Sequence, residues 1–295
     1  MPPRCWRARQ SSRDRYVVHT VSILLATWTA VAWGLAEVMM LGAAKRHGPV
    51  VLGLWLMVIG GVLTAPLALR SSALPPVQDW AVPVAAASVG MVGSVLYWVA
   101  LRRGSLSVVS PTVATSGGIG AVLAVLALGE RLGAAAVFCL ALATVGVVLA
   151  SIGRFDRRPT GAAWAAPAAI CLGGYTILLA AAAERVGVYW ALLSYRIVGG
   201  VVLAAVVVVR RIDVSLTTRQ AMILGAAALL DTVGFIAFTT GLDRGPVAVV
   251  AVVSAQFSTI AVVLAATLLR ERLQRHQWVG VGAMLAATTV LGVAQ

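Results

Sequence analysis

Short basic punctuation divides the chain into ten apolar runs, at approximately residues 21–43, 50–69, 80–101, 107–128, 133–152, 162–183, 188–209, 219–241, 247–268 and 276–294. A bilayer core of about 30 Å takes roughly 20 helical residues to cross, and each run is about that long. The runs are apolar all round and rich in Ala, Val, Leu and Gly. A membrane barrel would instead show segments of about 10 residues alternating apolar with polar. Backbone polar groups inside lipid have no water to satisfy them, so a helical bundle is the spanning structure that remains. The predicted fold is an all-α integral membrane protein with ten transmembrane helices.

Composition agrees. Of the 295 residues, 60% are hydrophobic and 11% charged, with a mean hydropathy of +0.95, which excludes an ordinary soluble domain. The three cysteines, Cys5, Cys139 and Cys171, are too few for a disulfide framework. A net charge of +13 raises the question of nucleic acid. The cations, however, sit between apolar runs as Lys45-Arg46, Arg102-Arg103, Arg157-Arg158, Arg210-Arg211 and the segment 270–275, as in membrane loops. No nucleic-acid partner is expected. Loops of about 4 to 10 residues make consecutive helices antiparallel neighbours and leave no room for an extramembrane domain. Trp80, Trp164, Trp190 and Trp278 fall near run ends and read as headgroup anchors. The N-terminus imitates a secretory signal, with five arginines from Arg4 to Arg15 and a small-residue triplet at Ala30-Val31-Ala32. Cleavage is not expected, because the apolar run continues to Ala43 and the repeat described next requires it.

Sliding the chain on itself by 141 residues aligns Leu101–Leu132 with Leu242–Leu273 without gaps, and 14 of 32 positions are identical. Apolar bias alone would give about 3 to 5. Arg103 matches Arg244, Gly104 matches Gly245, and Glu130-Arg131-Leu132 matches Glu271-Arg272-Leu273. Earlier in each half the offset is 139, pairing Gly34 with Gly173, Arg46 with Arg185, Gly48 with Gly187, and Gly60-Gly61 with Gly199-Gly200. The organisation expected is a basic tail at 1–20, a first five-helix repeat at 21–152, a linker at 153–161 and a second five-helix repeat at 162–295. Five is odd, so the second copy enters the membrane inverted. Inverted pairs enclose a central cavity able to open alternately to either side, a geometry suited to transport.

Ten helices in two halves, Gly129-Glu130-Arg131-Leu132 and Arg270-Glu271-Arg272-Leu273 ending the fourth helix of each, and Pro111 early in the fourth helix resemble the EamA-type drug/metabolite transporter family. The resemblance covers residues from about 21 to 294. It implies a secondary transporter of small metabolites, many members being exporters, in the cell membrane with both termini cytoplasmic. The chain departs from the family at Val252, which is equivalent to Pro111, so a symmetric pair of proline kinks is not expected. With cytoplasmic termini, nine basic residues fall inside and thirteen outside, which opposes the positive-inside rule. The arginine cluster before the first helix supports the family orientation.

A charge inside a membrane helix costs about 2.5 to 3.5 kcal/mol at the bilayer centre on insertion scales, so each needs a reason. Three residues qualify: Glu37, Arg196 and Asp231. Arg196 precedes Arg210 by 14 residues and Asp231 follows Arg219 by 12; at 1.5 Å per residue both lie about 20 Å from one face, where they can pair. A buried salt bridge that merely fixes packing is one reading. Substrate recognition is the other, with Arg196 holding a carboxylate and Asp231 or Glu37 exchanging a proton. The repeat equivalents, Met57 and Gly90, are uncharged, so shared architecture demands neither charge. Glu37, about 12 Å from Lys45, can alternatively snorkel or bond a neighbouring helix. Glu130 and Glu271, at helix ends beside arginines, read as local caps and ion pairs.

The cavity expected at mid-depth is lined by Trp33, Tyr97, Trp98, Tyr175 and Phe235, with Tyr195 a further member, and suits an amphipathic or aromatic substrate. Small residues in the fourth and ninth helices permit close packing. They and Pro111 can also loosen the fourth helix beside the cavity. Gln256 is the leading neutral candidate there. His19, His47 and His276 stand apart, so no metal site is expected. Neither a Walker A motif nor a nucleophile facing a base is present, and no cofactor and no enzymatic activity are expected. Small-molecule substrate, lipid bilayer and protons are the partners implied. A second reading, from another class, is a non-transporting membrane scaffold or sensor using the same fold to bind a partner.

Overall fold

The computed structural model describes residues 12–130, 133–151, 160–268 and 274–293. Among these there is no strand. The helices are α1 (Ser12–His47), α2 (Pro49–Ser71), α3 (Ala81–Arg103), α4 (Leu106–Leu128), α5 (Ala134–Ser151), α6 (Thr160–Val186), α7 (Val188–Arg210), α8 (Thr218–Arg244), α9 (Val247–Ser254), α10 (Phe257–Leu268) and α11 (Arg275–Val293). A short 3-10 turn at Val77–Trp80 precedes α3. Among the described residues eight segments are long and apolar enough to cross a membrane, with α9 and α10 counted together; α5 carries a shorter apolar stretch, Val137–Gly146. The molecule is a multi-pass membrane protein.

Single glycines join α1 to α2 and α6 to α7. Gly48 and Gly187, one repeat apart, take φ of 85° and 83°, a region that side chains with a Cβ rarely occupy. Proline then starts α2 at its first position, where no backbone donor is missed.

The two halves pack on each other through matched pairs. α3 lies on α6 as α8 lies on α1; α4 lies on α6 as α9 and α10 lie on α1; α2 meets α7, and α5 meets α11. Glycines set the approach at equivalent places. A methyl at Gly34 would meet Ile260 at 2.7 Å, and one at Gly173 would meet Ile119 at 2.6 Å. Ile119 and Ile260 are themselves one repeat apart. Likewise a methyl at Gly234 would meet Trp33 at 2.6 Å, and one at Gly93 would meet Leu172 at 2.9 Å. Without water between helices there is little hydrophobic drive to associate, so close backbone approach through small residues supplies the packing.

Three expectations change. The ninth apolar run is not one helix: α9 ends at Ser254, and a tight turn at Ala255–Gln256 separates it from α10. The fourth, which carries Pro111, runs unbroken. Proline removes the bond to the carbonyl four residues back, here Ser107, and that oxygen instead accepts the Gln277 side-chain amide of α11 at 3.4 Å. Trp190 is not a headgroup anchor. It is 4% exposed, packs edge-on to Trp80 with ring centres 6.0 Å apart, and donates its indole N–H to Ser72 at 3.0 Å.

Candidate functional site

A cavity of about 850 Å³, mouth included, lies where the halves meet. Of the residues expected there, Trp33 (α1), Tyr97 and Trp98 (α3), Tyr175 (α6), Tyr195 (α7), and Asp231 and Phe235 (α8) all line it. Glu37, Arg196 and Gln256 do not reach its surface.

Arg196 and Asp231 form an ion pair at 2.9 Å. The arginine side chain is 1% exposed and the aspartate 12%, so Asp231 presents the cavity with the charge while Arg196 stands behind it. Arg196 also reaches Thr232 Oγ1 and the Leu56 carbonyl, each at 3.4 Å. Its guanidinium lies 5.6 Å and 5.3 Å from the ring centres of Tyr195 and Phe235. Gly60 makes room for this: a methyl there would come within 2.6 Å of the guanidinium. One repeat away, a methyl at Gly199 would meet Met57 at 2.6 Å. Arg196 therefore occupies the slot that its uncharged equivalent fills in the other half.

Glu37 does not snorkel. It is fully buried and accepts hydrogen bonds from the Tyr97 hydroxyl and from Ser110 at 2.5 Å. Among the described residues none of its partners is a cation. The packing bonds it to α3 and α4, and Tyr97 connects it to the cavity wall.

Rings form a continuous wall. Trp33 contacts Phe235 edge-on at 4.9 Å, Phe235 approaches Tyr195 at 5.6 Å, and Tyr195 lies 5.5 Å from Tyr175. The Tyr195 hydroxyl shares a 2.7 Å hydrogen bond with Ser94, whereas the buried Tyr175 hydroxyl has no partner. The Trp33 indole donates to the Asp231 carbonyl at 3.4 Å, tying α1 to α8. Gln256, in the turn between α9 and α10, faces a smaller side hollow shared with α4 and α5. It accepts from Thr259 at 3.2 Å, and its buried amide nitrogen is without a partner.

Several lining residues were absent from the sequence reading, among them Ser94, Phe238, Phe257 and Leu172. A signal for them existed. The lining includes Trp33 with Leu172, Leu56 with Tyr195, Ser94 with Phe235, Tyr97 with Phe238, Val113 with Ser254, and Ser116 with Phe257, and every one of these is a repeat-equivalent pair at offset 139 or 141. Adding the repeat partners of Trp33, Tyr97 and Phe235 would have found Leu172, Phe238 and Ser94.

Glu130 is not a local cap. Its carboxylate accepts the backbone N–H groups of Val247 and Ala248 at 2.8 and 3.0 Å, capping α9 from the end of α4. The repeat partner Glu271, with Arg131, Leu132 and 270–273, lies outside the described residues.

The model of the EamA-like transporter family matches residues 20–152 and again 159–293. The chain belongs to the EamA-like transporter family. Both matched EamA segments contribute to the cavity. A solved structure described as "Crystal structure of protein" shares the fold, with a TM-score of 0.71 over 96% of this chain and 98% of that one at 16% identity. No curated protein matches. Among the described residues no group of His, Cys, Asp or Glu is arranged to hold a metal ion.

Proposed function

We propose that this EamA-family protein is a secondary transporter, in the export direction, that moves a small organic metabolite or drug-like solute across the cell membrane by alternating access. One observation carries the reading: equivalent positions of the two repeats line one cavity. Ten spans in two inverted halves make such a cavity accessible from either side in turn, because exchanging the conformations of the halves exchanges its openings.

Within that reading Trp33, Trp98, Tyr175 and Phe235 contact the apolar body of the solute, and Asp231 contacts a polar group. Arg196 holds Asp231 in place and adds positive potential behind it. Glu37 is the proton-exchanging group. A carboxylate bonded to two hydroxyls can be protonated with little rearrangement, since a hydroxyl donates to the anion and accepts from the acid. Gln256 sits at the turn where the ninth span bends, and interrupted helices at mid-membrane are where transporters commonly place movable parts.

The test uses purified protein in sealed vesicles and a panel of radiolabelled amino acids, amines and aromatic compounds. At least one solute should show counterflow above protein-free vesicles, reduced by Asp231→Asn. Absence of exchange for the whole panel would count against transport and favour a binding or sensing role. Transport unaffected by Asp231→Asn would move the site elsewhere.

A further inference from the structure

A second hollow, about 940 Å³ with its mouth included, lies between the last turns of α1 and the first turns of α8 and shares no lining residue with the central cavity. Its walls are of two kinds. Met39, Gly42 and Ile223 line it on one side, and Arg46, His47 and Arg219 line it at the helix ends. Both arginines are exposed, and among the described residues neither is in an ion pair. His47 Nε2 is buried without a hydrogen-bond partner. Nearby, the exposed acid Asp213 has its pKa lowered first by its hydrogen bonds to Ser215 and only weakly by His47. Its two oxygens are occupied by the Ser215 backbone N–H and hydroxyl, each at 2.9 Å. The hollow is thus cationic at one end and apolar at the other.

Its setting repeats that polarity. Among the described residues this end of the bundle carries Lys45, Arg46, Arg102, Arg103, Arg210, Arg211, Arg219 and Arg275 against one acid, Asp213. We propose that the hollow binds an anionic phospholipid, its headgroup phosphate held by Arg46, His47 and Arg219 and an acyl chain lying along Met39, Gly42 and Ile223. A free anion would satisfy the arginines and leave the apolar wall unfilled. A zwitterionic lipid brings its own cation to a positive rim. An anionic lipid complements both ends, and basic residues at a membrane surface favour such headgroups. The occupant would bridge α1 and α8, the helices joined deeper down by the Trp33 bond to Asp231 and by Thr29 donating to the Gly234 carbonyl at 3.2 Å.

The experiment is thermal unfolding and native mass spectrometry of the delipidated full chain in detergent, titrated with phosphatidylglycerol, phosphatidylcholine or inorganic phosphate. Phosphatidylglycerol should raise Tm and remain bound, phosphatidylcholine should do so weakly, and phosphate should do neither. The Arg46→Gln/Arg219→Gln double variant should weaken phosphatidylglycerol binding by roughly tenfold or more. Gly42→Leu should weaken it with every charge intact, because the added side chain enters open space: nothing lies within 4 Å of a Cβ placed there. Lipid-free Tm of each variant is measured first, and if the double arginine variant does not fold, Gly42→Leu decides. Equal stabilisation by phosphatidylcholine, full stabilisation by phosphate alone, or unchanged binding to Gly42→Leu would overturn the proposal.

Discussion

Arg196 and Asp231 pair at 2.9 Å between α7 and α8, and each stands where the other repeat carries an uncharged residue, Met57 and Gly90. The pair is an asymmetric insertion into a symmetric frame. Two buried charges gain little net stability from each other, yet removing one leaves the other uncompensated.

Asp231→Ala should therefore destabilise the protein by about 3 to 5 kcal/mol, while Arg196→Met together with Asp231→Ala should recover most of that loss. Denaturation in detergent measures both. Transport should fail in both variants, which separates the fold's needs from the site's. Additive losses in the double variant would refute the pairing.

Glu37→Gln keeps the shape of the side chain and removes its charge. In vesicles with an imposed pH gradient, gradient-driven accumulation should be lost while counterflow of the same solute persists. Loss of both activities would make Glu37 a structural group, and retention of both would remove it from the coupling scheme.

Tyr175→Phe deletes a buried hydroxyl on the cavity wall that has no hydrogen-bond partner within the protein. An unsatisfied polar group contributes no stability, so Tm should stay level or rise slightly. If the hydroxyl meets solute, KM should increase with the maximal rate little changed. A fall in Tm would show a partner that forms without solute.

Glu130→Ala removes the cap on Val247 and Ala248. Helix caps are worth about 0.5 to 2 kcal/mol, and chemical denaturation should report a loss in that range. Glu130→Gln should lose less, since an amide oxygen still accepts one backbone N–H. A purely local role at the end of α4 would make both substitutions nearly neutral.

The depth of Arg196 and Asp231 was legible because rise per residue is constant along a helix, so counting from Arg210 and Arg219 placed both at one level. That Asp231 lines the cavity and Arg196 does not was hidden, since this depends on how α7 and α8 are rotated against α2. The Glu37 partners follow the same rule: Tyr97 and Ser110 lie 60 and 73 residues away. Pro111 drew attention to the fourth helix because proline is the usual breaker. The interruption falls at Ala255–Gln256, where neither residue is Pro or Gly.

Hydropathy and self-similarity are properties of the chain in one dimension. They suffice for a membrane bundle made of two copies of one unit, because burial in lipid and helix geometry act on each segment separately. Pairings between segments obey interhelical packing, and glycines such as Gly60 and Gly234 admit a neighbouring side chain only once the helices have docked. The ion pair, the buried Glu37, the cap from Glu130 and the cavity itself were therefore settled by tertiary structure: each needs groups from separate helices within a few ångströms, and no local interaction along the chain enforces that distance.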